Sequence, residues 1–432
     1  MKTKFDVVVV GAGPAGTTAA YLLAKAGMDV VLFERGDYPG SKNVFGGVLY
    51  GNVLNDIIPN FWEKAPVERH ITKHMITFLS QEASSSVDFK STRFNQPPYN
   101  GFSILRAKFD QWYAQIAEEA GVFVVPETVV DDLIWNEGKV SGVKTRRSEG
   151  HVYANVVIAA DGVNSILAQK AGLRDEISPL DVSLSVKELI ELPQKTIEER
   201  FNLSGNEGLA GHFIGSITQG VNGGAFLYTN KASISIGVVA HLASLARSRK
   251  TAYDILDDFK SHPSVRNLLK DGVEKEYGAH LIPEAGVNMM PKLYNGGLLV
   301  AGDAAGFTLA GGLSLEGANL AIASGAAAAE TVKRAYKEND FSRAALKHYQ
   351  ELLEESFVLK DLRTFSSTPR FLMNPRIYNV YPNLVCDLME QLFTVDGKPK
   401  KRILRLVRET IKGKVSLWQL LKDMARGARA LR

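Results

Sequence analysis

The 432-residue sequence holds a single cysteine, Cys386. An internal disulfide is therefore impossible, and so is a zinc or iron–sulfur site held by the chain's own thiolates; a reducing, cytosolic compartment fits this usage. Long hydrophobic runs are also lacking, since no stretch reaches the roughly 18 continuous apolar residues that span a bilayer. The opening "MKTKFDVVVVGAGPAG" has a basic start and an apolar run, but the run is too short for a signal peptide and ends in glycines. No internal repeat, low-complexity linker, catalytic triad or metal centre stands out. His70 and His74 would share a face if they lay on a helix. Without a third ligand nearby they read as ordinary surface residues, not a metal site.

What is present is a large apolar fraction, 45%, enough for two or three closely connected domains. Net charge is only +4, yet residues 398–432 carry twelve Lys or Arg against two acids, which leaves the remaining chain with an excess of six acids. That basic tail also carries Ile403, Leu404, Leu406, Val407, Trp418, Leu420 and Leu421. Three readings stay open: an amphipathic helix on an anionic leaflet, a dock for an acidic partner subunit, or a solvated tail packed on its own domain. Nucleic-acid binding is disfavoured by the lack of a binding module.

Hydrophobic patterning predicts strand, helix, strand over "FDVVVVGAGPAGTTAAYLLAKAGMDVVLFER", with the continuous apolar strands of a buried parallel sheet. A small β-meander follows near residues 123–153 and returns to the sheet at 156–159. Residues 173–284 alternate like antiparallel strands with a turn near Asn230. A buried strand resumes in "GGLLVAGDAAG", then comes a long helix of small residues starting near Glu316. From Phe341 onward the pattern is helical and amphipathic, with breaks expected at Pro369, Pro375 and Pro382.

Gly11, Gly13 and Gly16 form GxGxxG between strand and helix, and Glu34 ends the next strand. The glycines allow a tight turn and close approach of a pyrophosphate, the helix N-terminus offers amides, and Glu34 can accept from ribose hydroxyls. "GDAAG" at residues 302–306, followed by a glycine-rich stretch, resembles the flavin-binding part of FAD-dependent oxidoreductases of the glutathione reductase and hydroxylase type. That resemblance implies an α/β fold: a Rossmann-like FAD domain interleaved with an antiparallel-sheet substrate domain, and a helical C-terminal region. It gives Asp303 the ribityl chain of FAD, aims the long helix at the flavin pyrimidine, and gives Arg106 the FAD phosphates, a task suited to a guanidinium. A helix N-cap for Asp303 and a solvated surface position for Arg106 are the plainer alternatives. Glu316 reads as an exposed first-turn acid. "ADGVNS" resembles the Asp-Gly motif of flavin hydroxylases, but Ala168 stands where an arginine often follows, so Asp161 is expected near FAD without marking hydroxylation.

The most specific segments are "ERGDYPGSKNVFGGVLYG", "IPEAGVNMMPKLYNGGLLVAGDAAGF" and "GANLAIASGAAAAE". Together they resemble the electron transfer flavoprotein:quinone oxidoreductase family, most of all its FixC-type branch. Larger members carry a four-cysteine ferredoxin-like region holding a [4Fe-4S] cluster, which Cys386 alone cannot provide. The resemblance thus implies a separate ferredoxin-like subunit, electrons arriving from the alpha and beta subunits of an electron transfer flavoprotein, FAD as cofactor, and a membrane quinone as acceptor. It implies a cytoplasmic protein, with peripheral contact to the inner face of the cell membrane open. The domains expected are FAD-binding parts at 1–72, 101–172 and 285–335, a substrate-domain segment at 73–100, the quinone domain at 173–284 and a helical region at 336–432. Expected FAD contacts are Gly11, Gly13, Ala15 and Gly16 in the first turn, Glu34 and Arg35 after the second strand, and Ser41, Asn43, Gly46 and Gly47 in the following loop. Arg106, Asp161, Gly302, Asp303, Gly311 and Gly312 complete them; no catalytic side chain and no metal ligand is assigned. A geranylgeranyl reductase-like enzyme and an electron-wiring subunit without its own quinone site are the rival readings, and "SKNVFGG" speaks against the first.

Overall fold

The computed structural model describes residues 3–43, 47–311 and 315–431. Its first layer is a six-stranded sheet in the order Tyr294–Asn295, Leu298–Val300, Val156–Ala159, Val7–Val10, Val30–Phe33, Phe123–Val125. All pairings are parallel except that of Tyr294–Asn295. The β-branched runs fit this place because the central strands are buried on both faces. Helices Pro14–Lys25 and Ala318–Glu338 cross closely, and small residues permit it: a Cβ on Gly325 would lie 2.2 Å from the Ala15 carbonyl oxygen. The meander Val130–Asn136, Lys139–Thr145, His151–Tyr153 is antiparallel and leads back into Val156–Ala159.

The second layer is a nine-stranded sheet. From one edge it runs Val273–Pro283, Val182–Glu191, Ser233–His241, Gly223–Thr229, Glu207–Gly215, Val67–Leu79, Gly101–Ile104, Gly47–Tyr50, with Ser84–Lys90 paired to Val67–Leu79. The turn near Asn230 is present, joining Thr229 to its partner Ile234. One expectation needs correction. The sheet is mixed, because Glu207–Gly215 and Val67–Leu79 are parallel. His70 and His74 lie on that 13-residue strand and not on a helix. Valine, isoleucine and threonine favour a pleated, half-buried surface, and Arg69 locks the strand in place. Its buried guanidinium donates to the carbonyls of Asn230 at 2.7 Å, Gly205 at 2.9 Å and Glu207 at 3.0 Å. His70 pairs with Asn95 at 2.8 Å and stacks near Tyr99. Among the described residues no group of three His, Cys, Asp or Glu could hold a metal ion.

The C-terminal region is helical and is interrupted at the three prolines, each of which opens the helix that follows its break. Pro369 and Pro382 lie in the first turns of Thr368–Leu372 and Tyr381–Phe393, and Pro375 precedes Arg376–Asn379. A missing N–H costs nothing there, and the fixed φ suits the first turn. The last helix, Leu417–Ala430, is tied down by Asp423, which accepts from Arg376 at 2.6 Å and Tyr381 at 2.5 Å. Thr368 adds a bond to the Ala430 carbonyl at 2.8 Å. No described helix is long and apolar enough to cross a membrane.

Candidate active site

The turn after Val7–Val10 is built on steric necessity. Gly11 has φ +100°, and a Cβ there would lie 2.3 Å from the Ala160 carbonyl oxygen; one on Gly16 would lie 2.0 Å from the Gly11 oxygen. Gly13 faces open space, with only Arg106 Nη2 at 3.8 Å, so ligand can approach the backbone where helix Pro14–Lys25 begins. The Glu34 carboxylate braces this turn, accepting the Ala12 N–H at 3.1 Å and the Gly36 N–H at 2.7 Å. Each oxygen keeps a lone pair for a hydroxyl donor.

Arg106 opens helix Arg106–Glu119 and forms a forked pair with Asp110, Nε to Oδ1 at 2.8 Å and Nη2 to Oδ2 at 2.7 Å. Its side chain is partly buried on the cavity wall, not solvated on the outer surface. Burial pushes the Asp110 carboxyl up, and Arg106 opposes that push. Asp303 lies within the short turn Gly302–Ala305, whose N-cap is Ala301, so it is not the cap. Burial raises its carboxyl, while the charges of Arg106 and Lys187 act to lower it. Asp161 caps helix Ile166–Lys170 by accepting the Leu167 N–H at 3.0 Å, and its other oxygen is buried without a partner.

These groups line one cavity of about 1140 Å³, with Gly11, Gly13, Ala15, Glu34, Arg35, Asn43, Gly47, Arg106, Asp161, Gly302 and Asp303 on its walls. That exceeds the ~300–1,000 Å³ of an ordinary ligand pocket. Gly16 sits behind the wall against Gly11, and Ser41 turns its buried, unpartnered hydroxyl toward Gly36. Gly311 is not on the wall, although its neighbour Ala310 is. Gly46 and Gly312 lie outside the described residues. Glu316 is not an exposed first-turn acid: it is half-buried in a two-residue strand before the helix and accepts from Asn319 at 2.7 Å. Gly317 and Ala318, at the start of that helix, reach the cavity.

The opposite wall was not anticipated residue by residue. Ser183, Ser185 and Lys187 alternate along Val182–Glu191 and face the cavity, with His280 paired beside Ser185 and His212 farther across the sheet. The period-two pattern in "SLSVKELIE" is the signal that marks this polar face. Burial lowers Lys187 well below an ordinary lysine, helped by Arg106. Burial likewise pushes His212 and His280 down to about 4, with His74 adding at His212 and Lys187 and Arg106 adding at His280. Both imidazoles are therefore neutral at pH 7. Phe371, Leu372, Met373, Ile377 and Leu431 of the C-terminal region form an apolar side of the cavity.

Family models match three consecutive regions: "FAD dependent oxidoreductase" at residues 6–177, "ETF-QO, ubiquinone-binding" at 183–282, and "ETF-QO/FixC family C-terminal domain" at 368–432. The chain is 44% identical over 428 residues to a probable electron transfer flavoprotein-quinone oxidoreductase, YdiS, of Escherichia coli strain K12, covering 99% of each. The chain belongs to the electron transfer flavoprotein–quinone oxidoreductase/FixC family. Protein FixC of Azotobacter vinelandii is 43% identical over 434 residues, covering 100% of both chains. A geranylgeranyl bacteriochlorophyll reductase-like structure from Thermoplasma acidophilum has a TM-score of 0.73 at 23% identity, covering 98% of this chain and 99% of that one, a likeness of fold alone. This FixC-family chain is an FAD-dependent oxidoreductase. Its cavity suits that cofactor: a glycine cradle that any Cβ would fill, an acid beside it, and buried oxygens of Asp161 and Thr308 without protein partners.

Proposed function

We propose that the chain passes electrons from an electron transfer flavoprotein through FAD toward a membrane quinone. The observation that carries this reading is one continuous cavity, whose first wall is the glycine turn with Glu34 and Asp303 and whose second is the sheet face at 183–282 matched by the ubiquinone-binding model. FAD, when bound, supplies the redox chemistry. Gly11, Gly13 and Ala15 would hold its pyrophosphate against the helix N-terminus, Glu34 and Arg35 its adenosine half, and Asp303 its ribityl chain. Arg106 adds positive charge at the wall, while Asn43 and Gly47, from the loop, bound the approach to the ring. Gly302 leaves room for this: its φ is +65°, and a Cβ would press on Ala15 at 2.9 Å. Apolar groups at the far side, Phe371 and Leu372 among them, exclude water and suit an isoprenoid acceptor.

Cys386 is buried against the Phe78 and Ala83 carbonyls. Cys386 is the one thiol of these 432 residues, which suits a reading in which a ferredoxin-like partner supplies any iron–sulfur centre of the electron path. The tail supports peripheral membrane contact. Helices Ile403–Ile411 and Leu417–Ala430 bury Leu406, Ile411, Gly427 and Ala430 inward, yet expose Leu404 at 77% and Trp418 at 75% among their lysines and arginines.

The test combines the purified flavoprotein, reduced electron transfer flavoprotein, a ferredoxin-like partner and ubiquinone. Quinone-dependent oxidation of the reduced flavoprotein is expected. Normal electron exchange without quinone reduction would favour the wiring role, and reduction of geranylgeranyl lipids would overturn the reading.

A further inference from the structure

Five carboxyl groups line the cavity, those of Glu34, Asp161, Asp181, Asp303 and Glu284. Four have an evident electrostatic task. Glu34 and Asp161 accept backbone N–H groups, Asp303 faces the charges of Arg106 and Lys187, and Asp181 faces that of Arg174. Glu284 differs from all of them. It takes part in none of the ion pairs among the described residues, and the side-chain hydrogen bond found on it comes from an uncharged group, the Ser183 hydroxyl, at 2.5 Å from its Oε2. Its own N–H is fixed by the Asp181 carbonyl at 2.9 Å.

Its position matters as much as its partner. Glu284 directly follows strand Val273–Pro283, at the end of the polar row formed by Lys187, Ser185 and Ser183. Successive members of such a row are about 6.7 Å apart, so Glu284 stands far from Lys187 and close to the C-terminal helices. Tyr378, on Arg376–Asn379, lies close to it. Burial raises the Glu284 carboxyl above the ordinary carboxylate range, and the bond from Ser183 opposes this only in part. A partly buried carboxyl with no ion-pair partner favours its neutral form more than an ordinary carboxylate does, and in that form it can give up a proton.

We propose that Glu284 is the proton donor to the quinone, positioned by Ser183. This rests on the quinone reading given above. Reduction of a quinone to a hydroquinone takes two electrons, from the reduced flavoprotein by way of the enzyme's redox chain, and two protons. The O–H bond of Glu284 breaks as an O–H bond forms on one quinone carbonyl oxygen, and the resulting carboxylate is reprotonated by water. The second carbonyl oxygen takes its proton from water directly. The other titratable groups on the cavity around this end are Asp181, His241, His280, Tyr378 and Arg370.

The test is Glu284→Gln, whose amide oxygen can still accept from Ser183, in the FAD-loaded protein. Quinone-dependent turnover should fall about 100-fold, within the range general acids contribute. Electron exchange with electron transfer flavoprotein and quenching of flavin fluorescence by quinone should be unchanged. The infrared band of a protonated carboxyl should be present in the wild type at neutral pH and absent in the variant. Glu284→Asp should restore part of the rate, and Ser183→Ala should shift the pH profile of turnover. Wild-type turnover and pH profile in Glu284→Gln, with quinone still bound, would overturn the role of Glu284 alone. A wild-type protein that neither binds nor reduces quinone would overturn the functional reading, and this proposal with it.

Discussion

The two walls of the cavity work by different physics. The wall on the parallel sheet acts through backbone: Gly11 and Gly16 leave no space for a side chain, Gly13 keeps the approach to the helix N-terminus open, and Glu34 spends hydrogen bonds on the turn itself. The wall on the nine-stranded sheet acts through side chains on alternate strand positions, with Lys187, His212 and His280 all held toward their neutral forms by burial. The first wall can change little without losing its shape. The second can change residue by residue and retune the chemistry while the fold stands.

The sharpest way to break this contrast is to make one small change on each wall. Gly11→Ala should purify with little or no flavin, because its Cβ would meet Ala160 at 2.3 Å with φ at +100°. Ser185→Ala should keep full flavin, since its buried hydroxyl has no partner to lose. The ratio of flavin to protein absorbance decides between them. Equal retention in the two variants would remove the contrast.

Next in size is Arg106. Truncating one partner of a buried ion pair costs about 3–5 kcal/mol, and Arg106→Ala leaves the Asp110 carboxylate buried without its cation. Denaturant unfolding should show that loss, and flavin titration a weaker affinity. Pairing Arg106→Met with Asp110→Asn should recover much of the stability but not the affinity, which separates the two roles of the guanidinium.

A smaller effect is expected at Lys187, and its sign follows from proton linkage. Its folded pKa is lowered, so between that value and the ordinary 10.5 the unfolded chain binds more protons and stability rises with pH. Lys187→Met should remove that rise and raise Tm at neutral pH by on the order of 2 °C. A steeper rise with pH in the variant would contradict the assignment. The smallest change in folded stability belongs to the exposed tail. Leu404→Ser with Trp418→Ser should alter stability by no more than about 0.5 kcal/mol, yet weaken cosedimentation with anionic vesicles severalfold.

What could be read from sequence follows the same division. The first strand, glycine turn and helix were legible because their constraint is local: three glycines, one acid and an apolar run lie within about thirty residues. The hairpin turn near Asn230 was legible for the same reason. The parallel pairing of Glu207–Gly215 with Val67–Leu79 was not, since it joins segments far apart through the buried Arg69. The helix breaks at Pro369, Pro375 and Pro382 are legible because proline lacks the N–H that a continuing helix needs. Of the site, the residues fixed by turn stereochemistry were visible. Lys187, His280 and Glu284 were hidden, because only the assembled sheet brings alternate positions of separate strands onto one face.

The central claim is that quinone occupies the same cavity as FAD, against the large sheet. Photolabelling of the flavin-loaded protein with an azido-quinone, followed by peptide mapping, tests it most directly. Label is expected on peptides spanning residues 182–191, 273–284 or 369–378, displaced by unlabelled quinone. Displaceable label confined to helices Ile403–Ile411 and Leu417–Ala430 would contradict it.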